Sequence, residues 1–361
     1  MSTYPTKLAE AFASKALEIY YANSVSEAIT NQDYEGEIRD KASTLNILTF
    51  DKILSHTYTG ANMTVDDITE SNAQLVTDQA KDFYFRIKSY DTFRSYIKNP
   101  EGTILNQTGN ELKKVVDTFV LGLSGDVAAG NRIGTDYTTG TVAVTATTGA
   151  VTGSGTTFTA AMVGKGFKVN SAWYKIKSYA SATSIVIEDD KDDATSAYSG
   201  GTIGAGTTYI VQANTAVQVT NSTIFDQLNQ LAVKLDDAEI PAENRWCVIP
   251  PAISALVKEA ANFNPSGVDA GYQRFSVNGR VGGQLAGFEI YQSPYVAGNS
   301  TDGWNIMAGH KSGITFAMGF VETGMEDLIG NFGKAYKSLN VYGAKVPDER
   351  RKALAELFGK L

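Results

Sequence analysis

The sequence predicts an α+β fold interrupted by a small all-β module. Apolar residues recur at helical spacing over 108–124 and again over 222–236. Short alternating segments such as STLNILTF and KDFYFRIKSY read as half-buried strands. Between about 136 and 208 the composition shifts to Thr, Gly and Ala, with β-branched and aromatic runs separated by turn residues.

Taken in order, Leu8, Phe12, Ala16 and Ile19 place a short amphipathic helix over 7–22. In STLNILTF, Leu45, Ile47 and Thr49 share one strand face. A polar run, TYTGANMTVDDITESNA, separates it from KDFYFRIKSY. There Phe83, Phe85 and Ile87 face one way and Tyr84, Arg86 and Lys88 the other. Two strands joined across a long polar excursion predict an extended hairpin. Thr108 and Glu111 have capping-box spacing, in which each side chain satisfies a backbone N–H at a helix start. Leu112, Val115, Val116, Phe119 and Leu123 then form a stripe, and Gly125 is placed to end the helix.

Within 136–208, Trp173, Tyr174, Ile176, Ile185, Val186 and Ile187 supply the apolar side chains that a disordered linker lacks. A second helix carries Phe225, Leu228, Leu231, Ala232 and Leu235 and stops before Pro241. RWCVI is apolar on both faces and predicts a buried strand, and Pro251 suits the first turn of the next helix. FEIYQS, WNIMAGH, GITFAMGFV and SLNVYGAKV supply further strands before the charged tail PDERRKALAELFGKL.

Composition narrows the chemistry. A formal charge of −8 opposes general polyanion binding, which needs clustered Lys and Arg. One cysteine cannot make an internal disulfide or a cysteine-rich zinc site, and two histidines leave few general bases. No apolar run reaches membrane-spanning length. Cys247 lies between Trp246 and Val248 in the buried strand, so packing outweighs nucleophilic reactivity. His56 and His310 belong to no metal spacing, and EDDKDD (188–193) lacks the loop glycine and distal Glu of a calcium loop. GRVGG (279–283) and GSGTT (153–157) match no phosphate-binding loop. No catalytic, cofactor or metal site is predicted, and the chain does not read as an enzyme.

Five segments in fixed order resemble the major capsid proteins of tailed bacteriophages with the Hong Kong 97-type fold. LDDAEIPAENRWCVIPPAISALV is similar to that family's helix, Pro-containing turn, Arg-bearing strand and Pro-Pro helix start. GGQLAGFEIYQSPYV, VYGAKVPDERRKALAEL, LVTDQAKDFYFRIKSYD and NQDYEGEI resemble its later strand, C-terminal strand and tail, hairpin return strand and N-terminal segment. The likeness covers most of 1–135 and 209–361, and 136–208 departs from it as an inserted β domain.

The resemblance implies an N-terminal arm (1–42), an E-loop hairpin (43–90) lying across a neighbouring subunit, and a P-domain with a long spine helix (91–135 and 321–361). It also implies an A-domain (209–320) that meets its copies at the capsomer axis. His56, Tyr58, Met63 and Val65 in the E-loop are the candidate subunit-interface residues. The implied function is self-assembly as hexamers and pentamers into an icosahedral virion shell around packaged double-stranded DNA, formed in the host cytoplasm. A separate scaffolding protein and a portal are the implied partners, with no membrane. An encapsulin-like cellular nanocompartment is the nearest alternative. A β-rich tail or adhesin protein is a different class, and the two helical stripes speak against it.

Overall fold

The computed structural model describes residues 24–33, 44–50, 70–88, 100–191, 196–259, 284–327 and 333–361. Two compact units are present: one comprises Met1–Tyr20, Gln32–Gly109 and Thr315–Glu349, the other Tyr21–Asn31, Asn110–Ile314 and Arg350–Leu361.

In the first unit, β1 (Thr44–Phe50) pairs antiparallel with β2 (Glu70–Val76), from Thr44 opposite Val76 to Phe50 opposite Glu70. Leu45 and Ile47 are buried while Thr44 and Asn46 are exposed, the alternation a half-buried strand requires. They cluster with Leu75 and Ala317. The partner of β1 is therefore ESNAQLV, not KDFYFRIKSY. The latter forms β3 (Gln79–Lys88), which pairs along its length with β20 (Gly333–Lys345), and β20 pairs in turn with β19 (Thr315–Asp327). Alternation identifies a strand but not its partner, which tertiary packing selects. Where the chain passes from β2 to β3, Gly343 of β20 lies so close that a Cβ there would sit 2.6 Å from the Val76 carbonyl oxygen. Only glycine admits that approach. Phe85 stacks on Tyr336 with ring centres 5.4 Å apart, joining β3 to β20 face to face.

The long helix α2 runs from Pro100 to Leu121, so it starts well before the capping box read at Thr108. Thr108 is buried inside it. Residues three apart share a helix face anywhere along a helix, so the Thr–Glu spacing alone does not mark a start; the proline does. Leu112, Val116 and Val120 form its buried stripe, and the 3-10 turn Gly122–Asp126 ends it. A short helix α1 (Ser26–Ile29) precedes it in sequence.

In the second unit, residues 135–215 form an eight-stranded antiparallel sheet. Its strands are β5 (Thr135–Tyr137), β6 (Thr141–Val144), β7 (Ala150–Ser154), β8 (Gly166–Val169), β9 (Ala172–Ser181), β10 (Ser184–Asp189), β11 (Ile203–Thr207) and β12 (Tyr209–Thr215), in the order β11-β6-β7-β10-β9-β8-β12-β5. The sheet has its own core, in which Phe158, Phe167, Ile176, Ile185, Tyr209 and Val211 are buried together. Tyr209 stacks on Phe167 at 5.3 Å and meets Phe158 edge-on at 5.6 Å, while its hydroxyl donates to the Thr139 carbonyl at 2.6 Å. The sheet thus extends beyond the compositional shift at 208, because YIVQANT pairs with β8 and β5 without sharing their Thr/Gly bias. At its edge, β11 meets β6 only at Ile203 and Thr207, a bulged pairing that blunts the edge against further strands.

The body sheet of the same unit contains β13 (Val217–Gln218), β21 (Leu354–Lys360), β18 (Gly303–His310), β14 (Arg245–Ile249), β16 (Phe288–Gln292) and β15 (Gln284–Leu285), in that order. β17 (Gly298–Asn299) pairs with β18, and β4 (Arg132–Ile133) with β21. As expected for RWCVI, β14 is central and all five of its residues are buried, with β18 antiparallel on one side and β16 parallel on the other. Helices α3 (Ile224–Asp237) and α4 (Pro251–Glu259) contribute Leu228, Leu231, Leu235, Ile253 and Val257 to one core with Cys247, Ile249, Ile290 and Ile306. Burying each such side chain stabilises the fold by roughly 1.5–3 kcal/mol.

Candidate functional site

Among the described residues, no reactive side chain meets the geometry of catalysis. Cys247 is fully buried in the central strand, and burial pushes its thiol up to about 12, so almost no thiolate exists at neutral pH. His310 Nδ1 lies 2.8 Å from the Ser312 hydroxyl and also accepts the Ser312 N–H at 3.2 Å, which fixes a tight turn rather than a base–nucleophile pair. Burial and then the Arg245 guanidinium hold this imidazole below its ordinary pKa.

In the acidic run, the carboxylates among the described residues are likewise engaged. Glu188 pairs with Lys177 at 2.8 Å, Asp189 accepts the Ser199 N–H at 3.0 Å, and Asp190 accepts the Ala129 N–H at 2.7 Å. Among the described residues, no three His, Cys, Asp or Glu side chains converge on a metal position. The candidate interface residues His56, Tyr58, Met63 and Val65 lie outside the described residues, as does GRVGG at 279–283. What the structure does describe is the strand pair on either side, β1 and β2, up to Phe50 opposite Glu70. On β3, Tyr84 is 65% exposed, an aromatic ring of the kind interfaces favour.

Other features escape sequence reasoning altogether. A cleft of about 890 Å³ opens where the eight-stranded sheet meets the body sheet, lined in part by Arg132, Lys165, Gln212, Asp302, Glu356 and Phe358. Lys165 Nζ donates to the Ala213 and Asn214 carbonyls at 2.9 and 2.6 Å and sits 5.3 Å from the centre of the Phe358 ring. Arg132 Nε is 3.5 Å from Glu356 Oε2, and both side chains are more than nine-tenths buried. Burial raises the Glu356 carboxyl above its ordinary value despite the attraction of Arg132 and Lys165. No periodicity signals this cluster, because its members are drawn together from separate parts of the chain. Arg132, Lys165 and Gln212 each donate to backbone carbonyls, so the cluster ties the two sheets together.

A further buried carboxylate ties α1 to α2. Asp117, with no exposed surface, accepts the Ser24 hydroxyl at 2.8 Å, the Ser26 N–H at 3.0 Å and the Val25 N–H at 3.4 Å. It serves the open N–H groups at the start of α1, which has no side-chain cap of its own.

A family model described as phage capsid protein matches residues 171–355. Among solved structures, a chain of Mycobacterium phage Che8 is 15% identical, over 93% of this chain and 91% of that one, with a TM-score of 0.52. The capsid of cyanophage P-SCSP1u is 15% identical over 91% and 85% of the two chains, with a TM-score of 0.49. The capsid of Ralstonia phage GP4 is 9% identical over 94% and 92%, also at 0.49. No curated protein matches the chain in sequence.

Proposed function

The chain belongs to the phage capsid protein family and is the major capsid protein of an icosahedral phage head, and we propose that it assembles that shell as hexamers and pentamers around double-stranded DNA. It is a structural protein of the virion, not an enzyme, and the shell is built from copies of itself. Its α+β fold is of the Hong Kong 97 type. The observation that carries the reading is the family match over 171–355, from β9 of the eight-stranded sheet through β20. Closed symmetry multiplies modest contacts into a stable shell.

Within this reading, 43–90 is the E-loop, and His56, Tyr58, Met63 and Val65 rest on a neighbouring subunit. Residues 209–320, which hold α3, α4 and most of the body sheet, are the A-domain facing the capsomer axis, and α2 is the spine helix of a P-domain made of 91–135 and 321–361. A separate scaffolding protein directs curvature, and a portal occupies one vertex. Co-expression with a scaffolding candidate, followed by negative-stain electron microscopy, is expected to give uniform closed shells. Uniform closed shells from the chain alone would remove the scaffold from the reading. Deleting 55–66 keeps β1 and β2 and is expected to give folded capsomers that fail to close; normal shells from that variant would overturn the E-loop role.

The eight-stranded sheet reads as an inserted domain on the outer face of the shell. In support, β4 and β13 run parallel to β21 along one edge, Ile133 opposite Leu357 and Val217 opposite Gly359. Their partners are two positions apart, about 7 Å along a strand, so 134–216 leaves and re-enters what is otherwise one continuous strand. Replacing 134–216 with a single residue opposite Phe358 is expected to leave a folded body. A product without cooperative unfolding would overturn the insertion.

A further inference from the structure

Residues 126–133 lead from α2 into the eight-stranded sheet, where a loose tether would be the simplest connection. They are instead held from two sides. From the sheet, Asp190 Oδ2 accepts the Ala129 N–H, Gln212 Oε1 accepts the Gly130 N–H, and Gln212 Nε2 donates to the Arg132 carbonyl, each at 2.7 Å. Gln212 is 4% exposed, so these bonds are sheltered from water. Trp173 closes over the same segment: Gly130 has a φ of +101°, and a Cβ there would stand 3.0 Å from Trp173 Nε1.

From the C-terminal side, Arg351 Nε donates to the Asp126 carbonyl at 2.8 Å. Asn131 Nδ2 donates to the Lys352 and Leu354 carbonyls at 3.0 and 3.1 Å, and the Asn131 carbonyl accepts the Glu356 N–H at 3.0 Å. The two sides meet where Arg351 Nη2 stands 2.8 Å from Asp190 Oδ1. This is a charge contact rather than an aligned hydrogen bond, made by an arginine side chain only 2% exposed.

We propose that residues 126–133 form a clamp, bolted by Asp190 and Arg351, that fixes the eight-stranded sheet rigidly to the body sheet. The sheet then does not swing on its connections, and force applied to it by any bound partner passes directly into β21. Parting Asp190 from Arg351 would leave a buried guanidinium without its counter-charge, so the closed clamp is preferred to an open one.

The test measures orientation in the full-length chain. Spin labels on Thr183→Cys, exposed at the β9–β10 turn, and Lys258→Cys, exposed on α4, report the distance between the two sheets' outer elements. Buried Cys247 stays unlabelled. A narrow distance distribution is expected in this background. Adding Asp190→Ala with Gln212→Ala is expected to broaden it at least twofold while amide protection at Val151 and Ile185 inside the sheet persists. A broad distribution before those two changes, or an unaltered width after them, would overturn the clamp. If the alanine variant does not fold, the charge exchange Asp190→Arg with Arg351→Asp takes its place. A narrow distribution in the exchange, and a broad one in Asp190→Arg alone, supports the bolt; equal widths in the two overturn it.

Discussion

Arg245, at the first position of the central strand, reaches back nine residues and donates through Nη2 to Asp236 Oδ1 at 2.7 Å. The same guanidinium donates to the Ile240 carbonyl and, through Nε at 2.8 Å, to the Pro241 carbonyl. One buried arginine therefore closes the turn that follows α3, where Glu239 adopts a φ of +60°. The two partners differ in burial: the Arg245 side chain is 4% exposed and that of Asp236 63%.

That asymmetry predicts unequal substitutions. Arg245→Met leaves two backbone acceptors without their donor and is expected to cost about 2–3 kcal/mol. Asp236→Ala leaves Arg245 its two carbonyl acceptors and lets water replace the exposed carboxylate, so it is expected to cost less than Arg245→Met. Urea unfolding of the two variants checks the ranking.

Cys247 is expected to resist thiol reagents in the native protein. At pH 8 a thiol pushed up to about 12 is overwhelmingly protonated, and it is also enclosed. Labelling should follow the unfolding rate and accelerate in denaturant, as a time course with an aromatic disulfide reagent would report. Cys247→Ser places a hydroxyl in an apolar site and is expected to cost about 1–3 kcal/mol, whereas Cys247→Ala leaves only a small cavity.

Asp117→Ala is expected to release the segment around α1. Three donors lose their shared acceptor at once, each worth about 1 kcal/mol net. Hydrogen exchange should quicken at Val25 and Ser26 first. Unaltered exchange there would mean that other contacts hold the segment.

Glu356 gives a pH dependence of definite sign. Its carboxyl is raised by burial, so the native state binds a proton more tightly than the unfolded chain does. Its contribution is fully present below about pH 4.5, the ordinary glutamate range, and is lost as pH rises through the raised value. Glu356→Gln mimics the protonated form and is expected to flatten stability against pH across that window. Urea midpoints from pH 4 to 8 for both proteins test it.

The run from α3 through β14 to α4 was legible because each signal is local: a proline stop, apolar residues on both faces, a proline at a first turn. What local pattern could not supply was partnership. KDFYFRIKSY reads correctly as a strand, yet its neighbour is β20, more than two hundred residues away. Likewise β12 carries no compositional mark of the sheet it completes. The clamp was invisible for the same reason, since Asp190, Gln212 and Arg351 are ordinary polar residues until folding brings them together. Cys247 drew notice only by being alone, and its environment makes it filling.

The interruption of one strand at Ile133 and Val217 has a practical consequence. Ends that close together accept any compact guest whose own termini are adjacent, so the position is a natural grafting point for display on every copy in a shell. A guest supplying acceptors for the Ala129 and Gly130 amides, as Asp190 and Gln212 do, would be presented in one fixed orientation; a guest without them would hang from its two connections.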